Sequence, residues 1–167
     1  YVERYGKEPS LRQLKNYHEE IESTLMKPAM LNHPSTIWAR QSIHNTMWLF
    51  EHGVALCKEF EFRYGKEHGS YSRTLQTPME YDADSTLATP VSIAMFDEYR
   101  IDNKYGKHCW EYVIDSYRHY YLEGKWKFAE WRNERMPNWW PKDHFKNKRN
   151  KEIMAFNERF GASIELM

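Results

Sequence analysis

The strongest structural signal in this 167-residue chain is the segment PSTIWARQSIHNTMWLFEHGVALCKEFEFRYG, residues 34–65. Its apolar side chains recur at helical spacing over the longest periodic segment of the sequence, and Pro34 suits the first turn of a helix. Gly65 is the residue type preferred just past a helix end, because glycine adopts positive φ without steric cost. The pattern predicts one long central helix over about residues 34–64, with Gly53 as a point where it can bend.

Shorter helices on both sides complete an all-α prediction. They are expected at about residues 10–27, 92–100, 107–122, 126–136 and 141–160. Residues 66–91 show little periodicity, so they are predicted as a long surface loop. No segment shows the sustained alternation of apolar and polar residues that is typical of a strand. The expected fold is a compact, irregular helical bundle that forms a single domain over residues 1–167.

Composition narrows the classes of function. The 24 Lys and Arg residues balance the 24 Asp and Glu residues, so no global field attracts nucleic acid. Cys57 and Cys109 each lie in an apolar helical pattern and cannot build a disulfide framework, which favours a reduced, intracellular protein. No run approaches the roughly 18 apolar residues of a membrane span, and no signal peptide is visible. We expect a cytoplasmic protein that does not enter membranes.

The tripeptide Tyr-Gly-Lys occurs at residues 5–7, 64–66 and 105–107. Repeat proteins keep a nearly fixed period and similar flanking residues, whereas these copies are unequally spaced and have different neighbours. They are therefore not an internal repeat. Two interpretations stay open for the middle copy: an ordinary helix stop, with Lys66 against the negative end of the helix dipole, or a functional turn.

One stripe of side chains has the spacing of a metal site on a helix. Its members recur every four residues at Glu111, Asp115, His119 and Glu123. A single helix supplies too few converging ligands for a typical site, and the same spacing forms a surface ladder of ion pairs. We predict no metal and no cofactor.

Polar residues gather at both ends of the predicted central helix. The set is His33, Arg40, Asn45, Glu59, Arg63, Lys66 and His68. Taken singly, its members can cap the helix or face its dipole. Taken together, they suggest an anion-binding or acid–base pocket, and both interpretations stay open.

The segment 132–151 concentrates positive charge beside two tryptophans. It contains Arg132, Arg135, Trp139, Trp140, Lys142, Lys146, Lys148, Arg149 and Lys151, against Glu134 and Asp143. Phosphate attraction and base stacking would use this combination, whereas the alternative is a solvated helix face. The prediction assigns nucleic-acid contact to the basic C-terminal helix at 141–160, through Lys146, Lys148, Arg149 and Lys151.

Several blocks of the sequence resemble, in order, segments of a small phage-type protein family. Some members of this family are labelled pyrimidine-dimer DNA glycosylase. The blocks are NHPSTIWARQS, WLFEHGVALCKEFEFRYGKEH, TPVSIAMFDEY and SYRHYYLEGKWKFAEW with a following PNWW, and they span about residues 32–140. Residues 1–31 depart from the family pattern. The resemblance implies a compact helical protein that acts on nucleic-acid bases, within a bacterial host cell if the gene is phage-encoded.

The resemblance also implies roles for individual residues. Catalytic roles fall to His33, Glu59, Lys66 and His68. Phosphate binding falls to Arg40, Arg63, Arg118 and Lys125, and base stacking falls to Trp38. A pocket that binds a base would add Tyr64 and Tyr121 as stacking residues. The turn at 64–66 lies within a family block, which favours one functional turn and two coincidental copies.

Two classes of function therefore remain. The first is a nucleic-acid-acting or nucleotide-acting protein, such as a DNA glycosylase/lyase-like enzyme, whose polar residues converge on one cleft. The second is a non-catalytic helical interaction protein whose aromatic residues form the core and whose basic helix docks a partner. If the first holds, we expect His33, Arg40, Lys66 and His68 to face one cavity.

Overall fold

The computed structural model describes residues 6–76, 87–102, 109–132 and 135–167. No strand occurs within these ranges, which confirms the all-α prediction. The α-helices are α1 Leu11–Glu20, α2 Pro34–Arg40, α3 Ile43–Tyr64, α4 Trp110–Glu123 and α5 His144–Phe160.

The chain divides into two compact units, Tyr1–Ala94 and Met95–Met167. The N-terminal unit contains α1, α2 and α3, and the C-terminal unit contains α4 and α5. The formation of a single domain by residues 1–167 stays a prediction.

The predicted central helix is two helices, because the chain leaves helical geometry at Ser42. Ser42 has φ −156° and ψ 142°, and its hydroxyl accepts a hydrogen bond from the backbone N–H of His44 as the N-cap of α3. Side chains of α3 also satisfy carbonyls at the end of α2: Asn45 Nδ2 donates to Trp38 O, and Thr46 Oγ1 donates to Ala39 O. The prediction of one unbroken helix was therefore wrong. The break removes backbone hydrogen bonds of a continuous helix, and the side chains of Ser42, Asn45 and Thr46 bond to the backbone groups that it leaves without helical partners.

Gly53 is not a bend, because α3 runs through it as regular helix. Its role is close packing. A Cβ placed there would lie 3.3 Å from Cδ2 of Leu75, a residue of the π-helical turn Tyr71–Leu75. The chain after Gly65 thus folds back onto the middle of α3, and part of the predicted loop at 66–91 is a helical turn; residues 77–86 lie outside the described ranges.

Two short predicted helices are single 3-10 turns, Asp97–Tyr99 and Trp126–Phe128. Short apolar runs carry the full cost of helix nucleation without enough hydrogen bonds to offset it. The first predicted helix also ends early, at Glu20, since the chain then turns back on α1 and His18 Nε2 bonds to Leu25 O at 3.0 Å.

Among the described residues, buried aromatic side chains are concentrated in the core of the C-terminal unit, and the N-terminal core contains one. Trp38, Ala39 and Cys57 are buried in the N-terminal unit. The buried apolar residues of the C-terminal unit are Tyr112, Val113, Trp126, Trp140 and Ile153. Within the described part of the chain, no helix combines the length and the hydropathy that crossing a bilayer requires.

Candidate functional site

Two of the predicted catalytic residues share one local role in the N-terminal unit. His33 Nδ1 accepts a hydrogen bond from the backbone N–H of Ser35, and His68 Nδ1 accepts one from the N–H of Ser70, each at 3.2 Å. Both lie in a His-x-Ser sequence and both precede a helical turn. The side chains therefore act as N-caps, in the position that Ser, Asn or Asp usually occupies.

Two further predicted site residues pair with each other. Nε of Arg63 lies 2.7 Å from Oε1 of Glu59, with the residues four positions apart on α3. The arginine side chain is 25% exposed and the glutamate 34%, so the pair is partly shielded from water. Arg63, which was predicted to bind phosphate, therefore forms an ion pair with Glu59, which was predicted to transfer protons.

Trp38 is part of the core and does not offer a face for base stacking. Its side chain is 2% exposed, and its indole N–H donates to both the carbonyl and the hydroxyl of Thr89. The stacking role that the resemblance implied for Trp38 is corrected here, because a base cannot reach a ring that neighbouring side chains already cover.

A pocket of about 590 Å³ lies beside α3, and His68 is in its wall. Arg40, Lys66 and His33 are not among its lining residues, and both Arg40 and Lys66 are exposed. The structure therefore brings His68 to this pocket without the other three residues that we expected there. The lining is mostly apolar, unlike an anion-binding pocket.

The turn at 64–66 is a helix stop in its geometry. Gly65 has φ 65° and ψ 21°, and its N–H donates to Glu61 O at 2.7 Å. Tyr64 is 53% exposed and packs on Phe60, whose ring also contacts the edge of His68. The copy at 105–107 lies outside the described residues.

The predicted site residues of the C-terminal unit do approach one another. The Arg118 guanidinium lies 5.8 Å from the centroid of the Trp139 ring. Lys125 Nζ lies 5.1 Å from the ring centroid of Tyr120 and 5.9 Å from that of Tyr121. Arg118 and Tyr121 are three residues apart on α4, hence neighbours on its surface. We call Trp139, Arg118, Tyr121 and Lys125 the cation–aromatic row.

The row is partly open to solvent. The Arg118 side chain is 44% exposed and Tyr121 is 41% exposed. Asp115 holds Arg118 at 3.3 Å, which fixes its position on α4 without removing it from the surface. A ligand can therefore reach the Tyr121 ring and the Arg118 charge, whereas Trp139 and Lys125 are half-buried.

The carboxylate and imidazole stripe on α4 is divided among separate partners. Asp115 pairs with Arg118, His119 Nδ1 bonds to Tyr99 O at 2.9 Å, and Glu123 pairs with Lys148. No group of at least three potential ligands converges within the described ranges. The stripe joins α4 to its neighbours in the unit.

Two of the four predicted nucleic-acid contacts in α5 belong to ion pairs. Lys148 pairs with Glu123, and Arg149 pairs with Glu152 at 3.1 Å. Lys127 also pairs with Glu152, at 2.6 Å. Lys146 and Lys151 are exposed. These pairs lower the pKa of both carboxyl groups, chiefly through the hydrogen bond from Lys148 to Glu123 and from Lys127 to Glu152.

The sequence did not predict that Trp139 contacts Arg118 or that Tyr120 contacts Lys125. Lys125 follows the end of α4 at Glu123, so helical spacing gave no signal for its contacts with Tyr120 and Tyr121. The contact of Trp139 with Arg118 joins residues 21 positions apart. Local periodicity carries no information on such a contact.

No protein-family model, curated protein or solved structure matches this chain.

Proposed function

We propose that the C-terminal unit binds single-stranded nucleic acid through the cation–aromatic row. The observation that carries the proposal is the pairing of rings with cations: the half-buried Trp139 beside Arg118, and the exposed Tyr121 beside Lys125. Proteins that bind single strands combine aromatic platforms, on which bases stack, with positive groups that follow the phosphates.

Further exposed cations of the same unit support the same ligand. Lys146 and Lys151 of α5 are exposed and add positive potential to this unit. The formal charge of the whole chain is zero, so attraction has to come from such a local arrangement rather than from a global field. A single strand suits the row better than a duplex, because a duplex hides its base faces.

The test is fluorescence anisotropy of a labelled 12-nucleotide single strand, titrated at several salt concentrations. The variant R118Q/K125Q removes the two cations of the row. If both contact phosphate, the logarithmic salt slope of binding falls by about 1.4, since each contact contributes about 0.7 on a single strand.

The matched control is R12Q/K15Q, which makes the same change in net charge on exposed positions of α1. We expect its salt slope to stay at the wild-type value. Equal losses in both variants would show that net charge alone drives binding and would overturn the role of the row.

Base excision is a further proposal that rests on the family resemblance, with Glu59 as the acid–base group. It is separable from binding. A strand that contains a pyrimidine dimer is incubated with the wild-type protein and with E59Q. Cleavage of the glycosidic bond is measured as an abasic site and as strand cleavage at that site, because the detached base stays joined to its neighbour through the dimer. Cleavage by the wild type that E59Q lacks supports the proposal. No cleavage by either protein removes the catalytic proposal and leaves the binding proposal intact.

A further inference from the structure

The pocket beside α3 lies in the N-terminal unit and has no role in the proposed binding of single-stranded nucleic acid. Its walls come from Met26, from one face of α3, and from the segment that folds back after Gly65. The lining residues are Met26, Leu49, Gly53, Leu56, Cys57, Phe60, His68, Ser70, Thr74 and Leu75. Its volume of about 590 Å³ lies within the range of small-molecule sites.

Two local features build this pocket. Gly53 has no side chain, so Leu75 approaches the backbone of α3 closely. His68 caps the turn that carries Thr74 and Leu75 by accepting the N–H of Ser70. The wall formed by the segment after Gly65 therefore depends on Gly53 and His68. Glycine is a poor helix former and histidine is an uncommon cap, so neither residue type is favoured by helix formation alone.

The lining chemistry excludes strongly charged ligands. No lysine, arginine, aspartate or glutamate is among the lining residues. A phosphate or carboxylate ligand would lose its hydration here without gaining a counter-charge. Leu56 is 57% exposed, Met26 47% and Leu49 38%, so apolar surface borders the opening. A ligand with an apolar body therefore fits this pocket best, because moving its apolar surface from water to these walls is favourable.

His68 supplies one directional polar group. Because Nδ1 accepts from the Ser70 N–H, the neutral ring carries its proton on Nε2, which is then a hydrogen-bond donor. The Thr74 hydroxyl oxygen is buried nearby in the lining and has no hydrogen-bond partner among the residues that the structure describes. Buried polar atoms nearly always have a partner, and rotation of this side chain toward a bound acceptor would supply one.

We propose that this pocket binds an uncharged small molecule with an apolar body and one hydrogen-bond acceptor, which His68 Nε2–H recognises. The proposal is independent of nucleic-acid binding, since it concerns the N-terminal unit and a ligand without phosphate.

The test uses 6-propionyl-2-(dimethylamino)naphthalene, an uncharged fluorescent ketone, with the full chain and no nucleic acid. Its emission moves to shorter wavelength in apolar surroundings and back to longer wavelength when its carbonyl accepts a hydrogen bond. We expect saturable one-to-one binding with a net blue shift. L56D places a charge at the opening and should weaken binding at least about ten-fold. A55D, on the exposed adjacent position of α3 that does not line the pocket, should bind as the wild type does.

A second pair of variants isolates the polar contact. H68S keeps an oxygen that can cap Ser70 but removes the imidazole, so the dye should bind about three- to ten-fold more weakly and emit further to the blue. H33S makes the same exchange in the same His-x-Ser sequence outside the pocket, and should change neither quantity.

The proposal is overturned if the wild-type chain does not bind the dye saturably, or if L56D and A55D bind it equally. Binding that L56D abolishes but H68S leaves unchanged in both affinity and emission would overturn the assigned role of His68. Circular dichroism of each variant confirms that the helices are retained.

Discussion

Asn45 shows how one buried polar side chain joins three segments of the N-terminal unit. It is 1% exposed, its Nδ2 donates to Trp38 O and to Thr89 Oγ1, and its Oδ1 accepts from the N–H of Thr89. A single amide thus satisfies groups on α2 and on the extended chain near residue 89. The sequence placed Asn45 in a polar set with a functional interpretation, and the structure gives it a role in the core.

We expect Asn45→Ala to lower the free energy of unfolding by about 2–4 kcal/mol, because it leaves several buried polar atoms without partners. Urea unfolding followed by circular dichroism measures this. His44→Ala changes the exposed neighbouring side chain and should cost less than about 0.5 kcal/mol. Similar values for the two variants would contradict the network.

The Glu123–Lys148 pair makes a small contribution to stability that depends on pH. The hydrogen bond from Lys148 lowers the pKa of Glu123, and partial burial acts in the opposite direction. A lowered carboxyl pKa means that the pair stabilises the fold above the ordinary pKa, and that this contribution is lost as the pH falls through the lowered value. Glu123 is 42% exposed, so solvent screening limits the effect to under about 1 kcal/mol.

We therefore expect Lys148→Gln to be less stable than the wild type at pH 7, with the difference shrinking as the pH falls below the ordinary glutamate pKa and Glu123 protonates. Urea midpoints at several pH values give the comparison. Lys151→Gln removes an exposed lysine from the same helix and should show no such pH-dependent difference. If the difference in urea midpoint between the wild type and Lys148→Gln does not change with pH, the Glu123–Lys148 pair is not the cause of that difference.

At the scale of elements, the end of the long helix was predictable and its beginning was not. Gly65 ends α3 in the left-handed conformation, as its residue type indicated. The break at Ser42 was missed because its stabilising contacts are side-chain bonds from Asn45 and Thr46 back to α2. Apolar periodicity continues through such a break and does not report it. Capping was one of the two interpretations left open for the polar set, and residue type alone did not favour it at the histidines, since histidine is uncommon in that position.

The last residues of the chain form an element that periodicity did not indicate. Gly161 ends α5 with φ 63°, and the chain then returns along the helix. Asn157 exchanges two hydrogen bonds with the backbone of Ile164, and Asn150 exchanges two with that of Met167. Asn150 and Asn157 are seven residues apart on α5, which corresponds to about 10.5 Å along the helix. Ile164 and Met167 are three residues apart, which corresponds to about 9–10 Å of extended chain, so each asparagine lies opposite its partner.

We expect Asn157→Ala to speed hydrogen exchange at the Ile164 amide by about two- to ten-fold, and Asn150→Ala to do the same at Met167. Each change should affect its own amide more strongly, because each asparagine bonds to a different residue. Exchange is followed by two-dimensional NMR. Asn147→Ala, an exposed asparagine of the same helix, is the control. Unchanged exchange in all three variants would mean that the tail is not held by these side chains.

At the scale of the whole molecule, the candidate site residues fall into two units with different chemistry. The N-terminal unit contains capping histidines, a Glu59–Arg63 pair and an apolar pocket. The C-terminal unit contains the cation–aromatic row. Helix content and much of the aromatic core followed from composition and period. The grouping of site residues did not, since it depends on contacts between residues far apart in sequence, such as Arg118 with Trp139.

The proposed role of the row is to bind a base and its phosphate together. The most direct measurement is a double cycle: wild type and Tyr121→Ala, each titrated with a 12-nucleotide single strand and with an abasic strand of equal length and charge. If a base stacks on Tyr121, removing the bases costs the wild type more than the variant. We expect a coupling of about 1–3 kcal/mol, the magnitude of one base–aromatic stack. A coupling of zero, with both proteins losing the same affinity on the abasic strand, would contradict base recognition by the row.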